Sequence, residues 1–445
     1  MSQSPARSNA NALLVPLGTQ LPNDFADFIG SGPAARPADT LFNALIAIKK
    51  LGLECSHNVF RNEYRIGGTM LTITEIGEVS DNAVIALRQL VRQNFFFEPS
   101  ARNMQDAVMR SCTMRSFHPI KDYFATLPRW DGIDRASRLL PDYFNTPDTP
   151  LNRAISRIVT MASVRRIKVP GTKFDYMTVL QSPEGFNKSS AIEALYGEEN
   201  FTDQTVIGLH AKDVEEALRG MWAQENPELQ GVNKADWNKL KAMLSRRNDR
   251  IRRVFDRNPL NNPRTVIQWG TSNDDAYLRA LSGENRRFFS VDVLSHIDVA
   301  KIIRDRDEIW SEAIELETTG ESVALPEEFW IDARAERDKR TEIDPWEEIL
   351  RDVSTIGAQD ARTYAKRGDA LPFAIKDDEE RIASSYLLSA IISIPSKDQQ
   401  PHHGKRVGEA MRKLGWSGPK PIRIGQNAGH VKGYTRPAQW LLDLL

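Results

Sequence analysis

The sequence predicts an α/β fold, and the stretch 174–196 carries most of this prediction. Residues 174–181 are rich in β-branched and aromatic side chains, which is typical of a buried strand. Residues 189–196 place apolar side chains at helical spacing. Between them, residues 182–189 read Ser-Pro-Glu-Gly-Phe-Asn-Lys-Ser. The order strand, loop, helix is the repeating unit of α/β domains.

The loop is close to the phosphate-binding pattern G-x-x-x-x-G-K-[ST]. Lys188 and Ser189 fill its last two positions, whereas Ser182 and Asn187 replace its two glycines. Asn tolerates left-handed backbone angles better than most residues, so Asn187 still permits the turn. In such a loop, backbone N–H groups hold phosphates, while Lys contacts them directly and Ser binds magnesium. The candidate nucleotide-binding residues are Glu184, Gly185, Phe186, Asn187, Lys188, Ser189 and Ser190.

A motif that lacks two glycines also fits another interpretation, in which Asn-Lys-Ser-Ser caps a helix after a turn. The sequence downstream favours the phosphate loop. Glu225 and Glu228 follow a short apolar run, and Asn273 follows a second apolar strand at 265–269. A nucleotide-hydrolysing site needs carboxylates near magnesium and a polar side chain near the γ-phosphate.

Two arginines, Arg286 and Arg287, precede the start of an aromatic strand. Guanidinium groups suit the charge that develops on a transferred phosphate, either in the same chain or from a neighbouring subunit. Each of these features alone has an ordinary explanation at a protein surface. Their order along the chain predicts a nucleotide-hydrolysing core.

Residues from about 130 to 293 resemble the virulence-associated protein E family, the P-loop ATPases of phages and plasmids that are akin to superfamily 3 replicative helicases. The resemblance depends on many short blocks that occur in one order. They are Trp130-Asp-Gly132, Arg165-Arg-Ile-Lys-Val-Pro-Gly171, Lys173-Phe-Asp-Tyr176, Glu184-Gly-Phe-Asn-Lys-Ser-Ser190, Asn200-Phe-Thr-Asp203, Glu225-Asn-Pro-Glu-Leu229, Lys234-Ala-Asp236, Leu244-Ser-Arg246, Asp249-Arg250, Thr271-Ser-Asn273 and Asn285-Arg-Arg-Phe288.

The resemblance implies an AAA+-like core that hydrolyses ATP with Mg²⁺, in a ring-shaped homo-oligomer, with six subunits expected, that acts on DNA. It implies the following roles by position: Lys188 and Ser189 bind nucleotide, Ser189 and Glu225 hold magnesium, Glu225 and Glu228 are the acidic residues, Asn273 is the sensor, and Arg286 or Arg287 is the arginine finger.

The chain departs from the family pattern at two places. Asn187 stands where the family has Gly before the Lys, and Glu225 and Glu228 are three residues apart rather than adjacent. Which glutamate binds magnesium and which polarises water therefore stays open. A weakened or inactive ATPase is the alternative to a working one.

Charge is unevenly distributed although the net charge is −1. Residues 241–264 contain eight basic and two acidic residues, a net of +6. Residues 301–352 carry a net of −9, and residues 396–436 a net of +7. Two basic islands thus flank an acidic block.

The first basic island is predicted to form a β-hairpin between the acidic strand and the sensor strand. Superfamily 3 helicases grip DNA with a hairpin at this point of the chain, so the resemblance and the charge agree. The candidate DNA-binding residues are Arg250, Arg252, Arg253 and Arg257. A solvated edge hairpin and a subunit contact are the alternatives.

The C-terminal part is predicted to be a winged-helix-like domain. Residues 380–392 and 404–416 have the apolar spacing of two helices, and a β-hairpin follows. A DNA-binding version would use Lys405, Arg406, Arg412 and Lys413 of the second helix. A lid or protein-docking domain explains the same pattern.

We expect five segments along the chain. They are a flexible arm at 1–37, a mainly helical accessory or collar domain at 38–128, the ATPase core at 129–300, an acidic helical extension at 301–375, and the winged-helix-like domain at 376–445. Within the collar, residues 40–51 and 81–95 are predicted helices, and 58–74 short strands.

Composition indicates a globular protein, with 40% hydrophobic and 27% charged residues. Cys55 and Cys112 lack the spacing of a zinc site or a disulfide framework. The N-terminus has no apolar signal core, and no apolar run is long enough to cross a bilayer. We therefore expect a cytoplasmic protein with no membrane partner.

These features favour an ATP-dependent single-stranded DNA translocase or helicase that serves the replication of a phage, plasmid or other mobile element, with other replication proteins as partners. The alternative is a nucleotide-binding DNA-assembly or regulatory protein, such as an origin binder or phage-conflict component, with little turnover. A nucleotide kinase is disfavoured because no segment resembles a lid over an acceptor base.

Overall fold

The structure is a computed structural model. It describes residues 24–72, 75–229, 232, 234–251, 260–278, 285–341, 344–367, 369–424 and 429–438. The chain divides into two compact units. The first comprises residues up to 228 with 235–273 and 291–330, and the second comprises 229–234, 274–290 and 331–445.

The first unit begins with a small α/β module. Its strands are β1 (Phe28–Ile29), β2 (Arg36–Pro37), β3 (Glu54–Asn58), β4 (Glu63–Gly67), β5 (Gly77–Glu78) and β6 (Ser116–Phe117), and its helices are α1 (Leu41–Lys50), α2 (Asp81–Phe95), α3 (Ala101–Thr113) and α4 (Pro119–Thr126). The hydroxyls of Thr40, Ser80 and Ser100 each accept a hydrogen bond from the backbone three residues on, which fixes the starts of α1, α2 and α3.

This module is mainly helical, as expected, and contains short strands. The two predicted helices are present as α1 and α2, β4 lies within the stretch predicted to form strands, and the structure adds the sheet β5-β4-β3-β6, whose pairing was not predicted. Strand β6 pairs in parallel with β3 across about 60 residues of chain, and strands of two to five residues are too short to show a clear period.

The described end of the predicted arm, residues 24–37, is also structured. β1 and β2 pair antiparallel, and the Phe25 ring packs edge-on against Phe95 and Phe97 at 5.3 and 5.5 Å between centroids. A flexible arm is therefore wrong for these residues, because Phe25 anchors them to the core of the module.

The rest of the first unit is a sheet with helices packed on it. Its elements are α5 (Leu139–Tyr143), α6 (Pro150–Lys168), β7 (Met177–Gln181), α7 (Lys188–Tyr196), β8 (Phe201–Thr202), α8 (Ala211–Ala217), β9 (Ala223–Asn226), α9 (Lys234–Leu244), β10 (Asn248–Ile251), β11 (Leu260–Pro263), β12 (Ile267–Ser272), β13 (Phe288–Asp292) and α10 (Val299–Thr318). The sheet has the order β13-β7-β12-β9-β8, and the pairs β7–β12, β12–β9 and β9–β8 are parallel.

An aromatic cluster beneath the sheet fixes the far end of α7. Tyr196, Trp222, Trp269 and Trp310 are each at most 2% exposed. The Trp222 and Trp310 rings lie 4.4 Å apart, and Trp269 Nε1 donates to the Tyr196 hydroxyl at 3.2 Å. Trp310 Nε1 donates to the Leu195 carbonyl at 2.9 Å. Because each polar tip has a partner, the cluster buries large rings without a desolvation penalty and holds α7 in place.

The predicted hairpin in the first basic island is present. β10 and β11 pair antiparallel, with Asn248 opposite Pro263 and Ile251 opposite Leu260. At its base, Arg264 donates to both oxygens of Asp249 at 2.6 and 2.9 Å, and both side chains are buried. A bidentate pair of this kind ties the two arms of the hairpin to each other at its base.

The second unit contains helices packed on a four-stranded antiparallel sheet. Its elements are α11 (Trp330–Lys339), α12 (Pro345–Arg351), α13 (Val353–Arg367), β14 (Phe373–Lys376), β15 (Glu379–Ala383), α14 (Ser384–Tyr386), a π-helical turn (Leu387–Ile391), α15 (Pro401–Lys413), β16 (Ser417–Ile422) and β17 (Val431–Pro437). The strands have the order β14-β15-β17-β16.

The prediction for the C-terminal part is right in its second helix and hairpin and right in part in its first helix. Residues 380–383 belong to β15, whereas residues 384–391 are helical, as α14 and the π-helical turn that follows it. Ile382 and Tyr386 are both buried, and the spacing of four residues between them suits a strand that bends into a turn as well as it suits a helix.

Candidate functional site

The carboxyl ends of three parallel strands bring the predicted site residues to one edge of the sheet. β7 runs into residues 182–189, which we call the candidate phosphate loop. β12 ends next to Asn273, and β9 contains Glu225. In register, Thr271 lies opposite Leu180, and Trp269 lies opposite Glu225. Ligands of parallel α/β sheets bind at this edge, outside the carboxyl ends of the strands.

Asn187 gives the candidate phosphate loop its left-handed turn. Its backbone has φ 63° and ψ 27°, and α7 begins at the next residue. Gly185 also has a positive φ, 84°, in an exposed turn with Glu184. The expectation that Asn stands in for the usual glycine therefore agrees with the backbone, because Asn is one of the few residues that visit this region.

A segment after β13 braces the candidate phosphate loop, and no sequence motif predicted this contact. The Ile297 backbone N–H donates to the Phe186 carbonyl at 3.2 Å, and Asn187 Nδ2 donates to the Ile297 carbonyl at 3.3 Å. The rings of Phe186 and His296 lie 4.7 Å apart. The loop is thus held from outside as well as by its own turn.

Lys188 points back over the loop. Its Nζ donates to the Ser182 carbonyl at 2.9 Å, the Ser182 hydroxyl at 2.8 Å, the Pro183 carbonyl at 3.1 Å and Asn273 Oδ1 at 3.0 Å. Burial lowers the pKa of Lys188, while the charges of Glu225 and Glu184 oppose that shift. The Lys188 ammonium therefore donates to oxygen acceptors, as it would when it contacts phosphate groups.

Glu225 lies under the first turn of α7. Ser189 Oγ donates to Glu225 Oε1 at 2.8 Å, and Thr271 Oγ1 donates to the same oxygen at 2.6 Å. Glu225 is fully buried, and burial raises its pKa, against the effect of these two hydrogen bonds. Its second oxygen, Oε2, is buried and has no hydrogen-bond partner among the described residues.

The two glutamates of the acidic strand occupy different environments. Glu225 is in β9, whereas Glu228 lies two residues beyond it, exposed, with a left-handed φ of 50°. The structure thus brings Glu225, Ser189, Lys188 and Asn273 together, and it places Glu228 at the surface. Ser190, in the first turn of α7, is exposed.

Magnesium fits the groups around Glu225. The donors are oxygens, the ligand type that Mg²⁺ prefers, and the bare Oε2 is an acceptor in need of a partner. Within the described residues, no group of three or more His, Cys, Asp or Glu side chains is arranged for a metal. Mg²⁺ suits such a site because it is held by one or two carboxylates together with phosphate oxygens and water.

The predicted arginine pair lies in the second unit. Arg286 and Arg287 form a turn before β13, in which the Phe288 N–H donates to the Asn285 carbonyl at 3.0 Å. Arg286 is exposed and Arg287 is half-buried. Of the pair, Arg286 is thus the side chain that solvent and partners reach more easily.

The hairpin is described at its base and not at its tip. Arg250 lies in β10 opposite Asn261, while Arg252, Arg253 and Arg257 fall outside the described residues. Two other basic residues of the island are buried, Lys241 at 6% and Arg264 at 5% exposure. The count of +6 for this island therefore includes two charges that are not at the surface.

The basic face of α15 is partly used inside the second unit. Arg406 forks onto Asp344 at 2.8 Å and lies 4.2 Å over the Trp346 ring, and Lys413 pairs with Glu347 at 2.8 Å. These contacts favour a protein-packing role for this face, while Lys405 and Arg412 remain exposed.

The protein is a mixed α/β protein in which Lys188, Ser189, Glu225 and Asn273 lie close together at the carboxyl edge of a parallel sheet. Residues 124–342 match the family model of the virulence-associated protein E-like domain. The resemblance inferred from the motifs is thereby confirmed over these residues.

Solved structures of low sequence identity also align with the chain. The apo C-terminal region of NrS-1 (305–718) aligns at 12% identity with a TM-score of 0.49, over 88% of this chain and 98% of that one. SCCmec type IV Cch, described as an active helicase, aligns at 11% identity with a TM-score of 0.38, over 95% and 99%. Likenesses of this strength carry no conclusion about function. No curated protein sequence matches the chain.

Within the described residues, no helix combines the length and the apolar character needed to cross a membrane.

Proposed function

We propose that the protein is an ATP-dependent single-stranded DNA translocase or helicase that serves the replication of a phage, plasmid or other mobile element. The observation that carries this proposal is the hydrogen bond from Ser189 of α7 to Glu225 of β9. It joins the end of the candidate phosphate loop to the acidic strand, the pairing that a magnesium–nucleotide site requires. The virulence-associated protein E-like domain supports the same function.

Lys188 and the start of α7 are the groups that bind phosphate in this proposal. Lys188 Nζ exchanges its contacts with the Ser182 and Pro183 oxygens for the β- and γ-phosphate oxygens of ATP. The free N–H groups at the start of α7 face the same place, where the helix dipole favours negative charge. Because Lys188 is already held in position, little side-chain entropy is lost on binding.

Ser189 and Glu225 hold Mg²⁺. The ion would supply positive charge that offsets the negative charge of the phosphates. Glu225 must be ionised to serve as a ligand, and the Ser189 and Thr271 hydroxyls favour its ionised form. When Ser189 Oγ turns a lone pair to the metal, Thr271 still fixes the carboxylate.

Asn273 is the sensor in this scheme. Its Oδ1 now accepts from Lys188, so the departure of Lys188 toward phosphate releases an amide at the mouth of the site. That amide is then free to orient the attacking water. Glu228 and the arginine finger complete the proposed machinery. We assign the finger to Arg286, since it is the more exposed of the pair, and place its action on a neighbouring subunit of a ring, expected to be a hexamer.

The hairpin is the proposed DNA contact. Its base is fixed by the buried Arg264–Asp249 pair, while Arg250 and the arginines at 252, 253 and 257 lie toward its tip in sequence. A rigid base with a basic tip transmits movement of the core to the phosphates of a single strand. We also propose that the protein acts together with other replication proteins.

A second candidate function follows from Asn187 and Lys188. The usual glycine is absent, and Lys188 is already satisfied by four protein oxygens, so nucleotide must compete with these contacts. A protein of this kind would bind ATP as an assembly signal and turn it over slowly.

Hydrolysis of ATP by the purified protein, with and without single-stranded DNA, tests the proposal. Wild type and Lys188→Ala are compared with Lys212→Ala, an exposed lysine on α8 that serves as the control. DNA-stimulated turnover that is lost only in Lys188→Ala supports the motor. ATP binding without turnover in the wild type supports the assembly protein instead. Melting curves establish that the variants are folded.

A further inference from the structure

We propose that a cavity at the base of the hairpin is a base-binding site, which takes one nucleobase of the single strand and is separate from the site around Lys188. The cavity has a volume of about 300 Å³, and its lining lies within the first unit. Pockets of this size and larger hold small organic ligands in proteins. The inference rests on the proposed function, since single-stranded DNA supplies the base, and it adds the N-terminal module to the DNA-binding surface.

Three parts of the first unit form the walls of the cavity: the N-terminal module, the end of α8 and the base of the hairpin. The walls include Phe60, His118 and Lys121 of the module, Leu218 after α8, and Asn262 of β11. A ligand in the cavity therefore contacts both the module and the hairpin, which are distant in the sequence.

The aromatic wall of the cavity is held in place by the module. Phe60 is 9% exposed, and the centroid of its ring lies 5.2 Å from that of His118. Asn58 Oδ1 accepts from the N–H groups of Phe60 and Arg61 at 3.1 Å each, which fixes the turn that carries Phe60. Aromatic side chains bind the flat faces of bases with little regard to sequence. The wall therefore suits a nucleobase.

His118 and Lys121 place hydrogen-bond donors next to this wall. The Lys121 N–H donates to His118 Nδ1 at 3.2 Å, so the neutral ring carries its proton on Nε2. Burial first, and then the positive charge of Lys121, lower the pKa of His118, which keeps the ring neutral at pH 7. The Lys121 side chain is exposed and so lies at the mouth of the cavity, where an ammonium can contact the phosphate that carries the base.

The hairpin supplies a polar wall without net charge. Asn262 lies opposite Asp249 in register, so their side chains share a face of the hairpin, and Asp249 is neutralised by Arg264 at 2.6 Å. The half-buried Asn262 amide both donates and accepts, as the edges of bases do. Glu215 also lines the cavity, and its carboxylate would repel a free anion. This wall favours a neutral heteroaromatic group over inorganic phosphate.

The position of the cavity favours the DNA strand as the source of the base. The arginines at 252, 253 and 257 follow between the two arms of the hairpin in the sequence. Each arm has four residues, a length of about 13 Å, which a single strand spans in a few nucleotides. A strand that contacts these arginines therefore reaches the cavity within a few nucleotides.

Fluorescence anisotropy of a labelled oligothymidylate measures the contribution of the cavity to DNA binding. Asn262→Ala and Phe60→Leu should each weaken binding about 5-fold or more, because they remove an amide and a stacking face. A strand of the same length with abasic residues should bind equally to wild type and both variants, since it presents no base. Asn94→Ala, an exposed asparagine on α2, is the matched control, and melting curves establish that the variants are folded.

The salt dependence of the same binding isolates Lys121. Lys121→Ala should reduce the slope of the logarithm of the binding constant against that of salt concentration by about 0.7, the effect of one phosphate contact on a single strand. The reduction should appear on normal and abasic strands alike. Lys212→Ala, an exposed lysine on α8, should leave the slope unchanged.

The outcomes separate this inference from the proposed function. A wild-type protein that binds single-stranded DNA, with Asn262→Ala, Phe60→Leu and Lys121→Ala equal to it, overturns the base-binding site and leaves the motor intact. Calorimetry with thymidine monophosphate tests a free nucleotide as the ligand. Binding that Asn262→Ala abolishes, with strand binding unchanged, would assign the cavity to a free nucleotide and overturn the strand as its source. A wild-type protein that binds no single-stranded DNA overturns both proposals.

Discussion

Ser189 Oγ and Thr271 Oγ1 both donate to one oxygen of Glu225, at 2.8 and 2.6 Å, and leave its other oxygen bare. Neutral hydroxyls hold the carboxylate in place without neutralising its charge. The site therefore contains a buried acceptor that costs stability in the free protein.

Glu225→Gln is expected to raise the thermal stability of the metal-free protein at pH 7.5 by roughly 2–4 °C. Burial raises the pKa of Glu225, so the folded state holds this proton more tightly than the unfolded state does. The associated stability is present at low pH and is lost as pH rises through the folded pKa. Glutamine does not ionise, so the variant does not lose this stability as the pH rises. Its amide oxygen still accepts hydrogen bonds from Ser189 and Thr271.

Calorimetry in EDTA checks this expectation across pH. The advantage of Glu225→Gln should shrink as the pH falls, because the wild-type carboxyl then becomes neutral as well. A variant that melts below wild type at every pH would show that the carboxylate stabilises the free protein. Magnesium-dependent turnover should be lost in either case.

Asn187→Ala is expected to be less stable than Asn187→Gly by at least about 1 kcal/mol. Asn187 has φ 63°, where an alanine Cβ crowds the following carbonyl and glycine does not. Alanine also removes the hydrogen bond to Ile297, as glycine does, so the pair isolates the backbone effect. Urea unfolding of both variants measures the difference. Equal stabilities would mean that the loop leaves the left-handed region in solution.

Gly220→Ala is expected to destabilise the first unit by about 1–3 kcal/mol more than Gly320→Ala. A Cβ on Gly220 would lie 2.6 Å from Arg61 Cγ and 2.8 Å from Arg61 Cα, whereas nothing lies within 4 Å of one on Gly320. Both glycines have positive φ, 67° and 73°, so the backbone penalty cancels. The difference between the unfolding free energies of the two variants therefore measures the effect of the close approach between Gly220 and Arg61 alone.

Asp249→Ala is expected to cost about 3–5 kcal/mol, because it leaves the Arg264 guanidinium buried without its carboxylate. The two side chains are 5% and 4% exposed. The control is Asp338→Ala, whose pair with Arg334 is 68% and 78% exposed and should contribute nothing measurable. Similar losses of stability in Asp249→Ala and Asp338→Ala would show that the buried Arg264–Asp249 pair does not stabilise the base of the hairpin. Binding of single-stranded DNA should weaken in Asp249→Ala even where it remains folded.

Arg286→Ala is expected to lower ATP turnover by about 1000-fold or more with an unchanged melting temperature. Arg287→Ala should lower the melting temperature, because Arg287 is half-buried. Mixing Arg286→Ala with Lys188→Ala subunits should restore some activity if the arginine acts on a neighbour. If both arginine variants keep wild-type turnover, neither residue is the finger.

The local features of the site were predictable from the sequence. The strand β7, the helix α7, the hairpin and the polar end of β12 follow from side-chain patterns within about ten residues. The left-handed turn at Asn187 follows from the residue type. The first C-terminal helix was predicted to start four residues too early, because burial every fourth residue does not distinguish the end of a strand from the first turn of a helix.

Contacts across the sheet were not predictable in this way. Thr271 reaches Glu225 and the His296 ring lies beside Phe186 only through the folded chain. In the N-terminal module, short strands were predicted at 58–74, but the pairing of β3 with the distant β6 was not.

The amino-acid sequence specifies a lysine and serine at a helix start, an acidic strand and an asparagine at a strand end, in that order. Local backbone preferences are enough to fix such elements. Which of these groups meet depends on the folded chain. Strand register, set by hydrogen bonds between distant segments, brought Ser189 to Glu225 and left Glu228 at the surface.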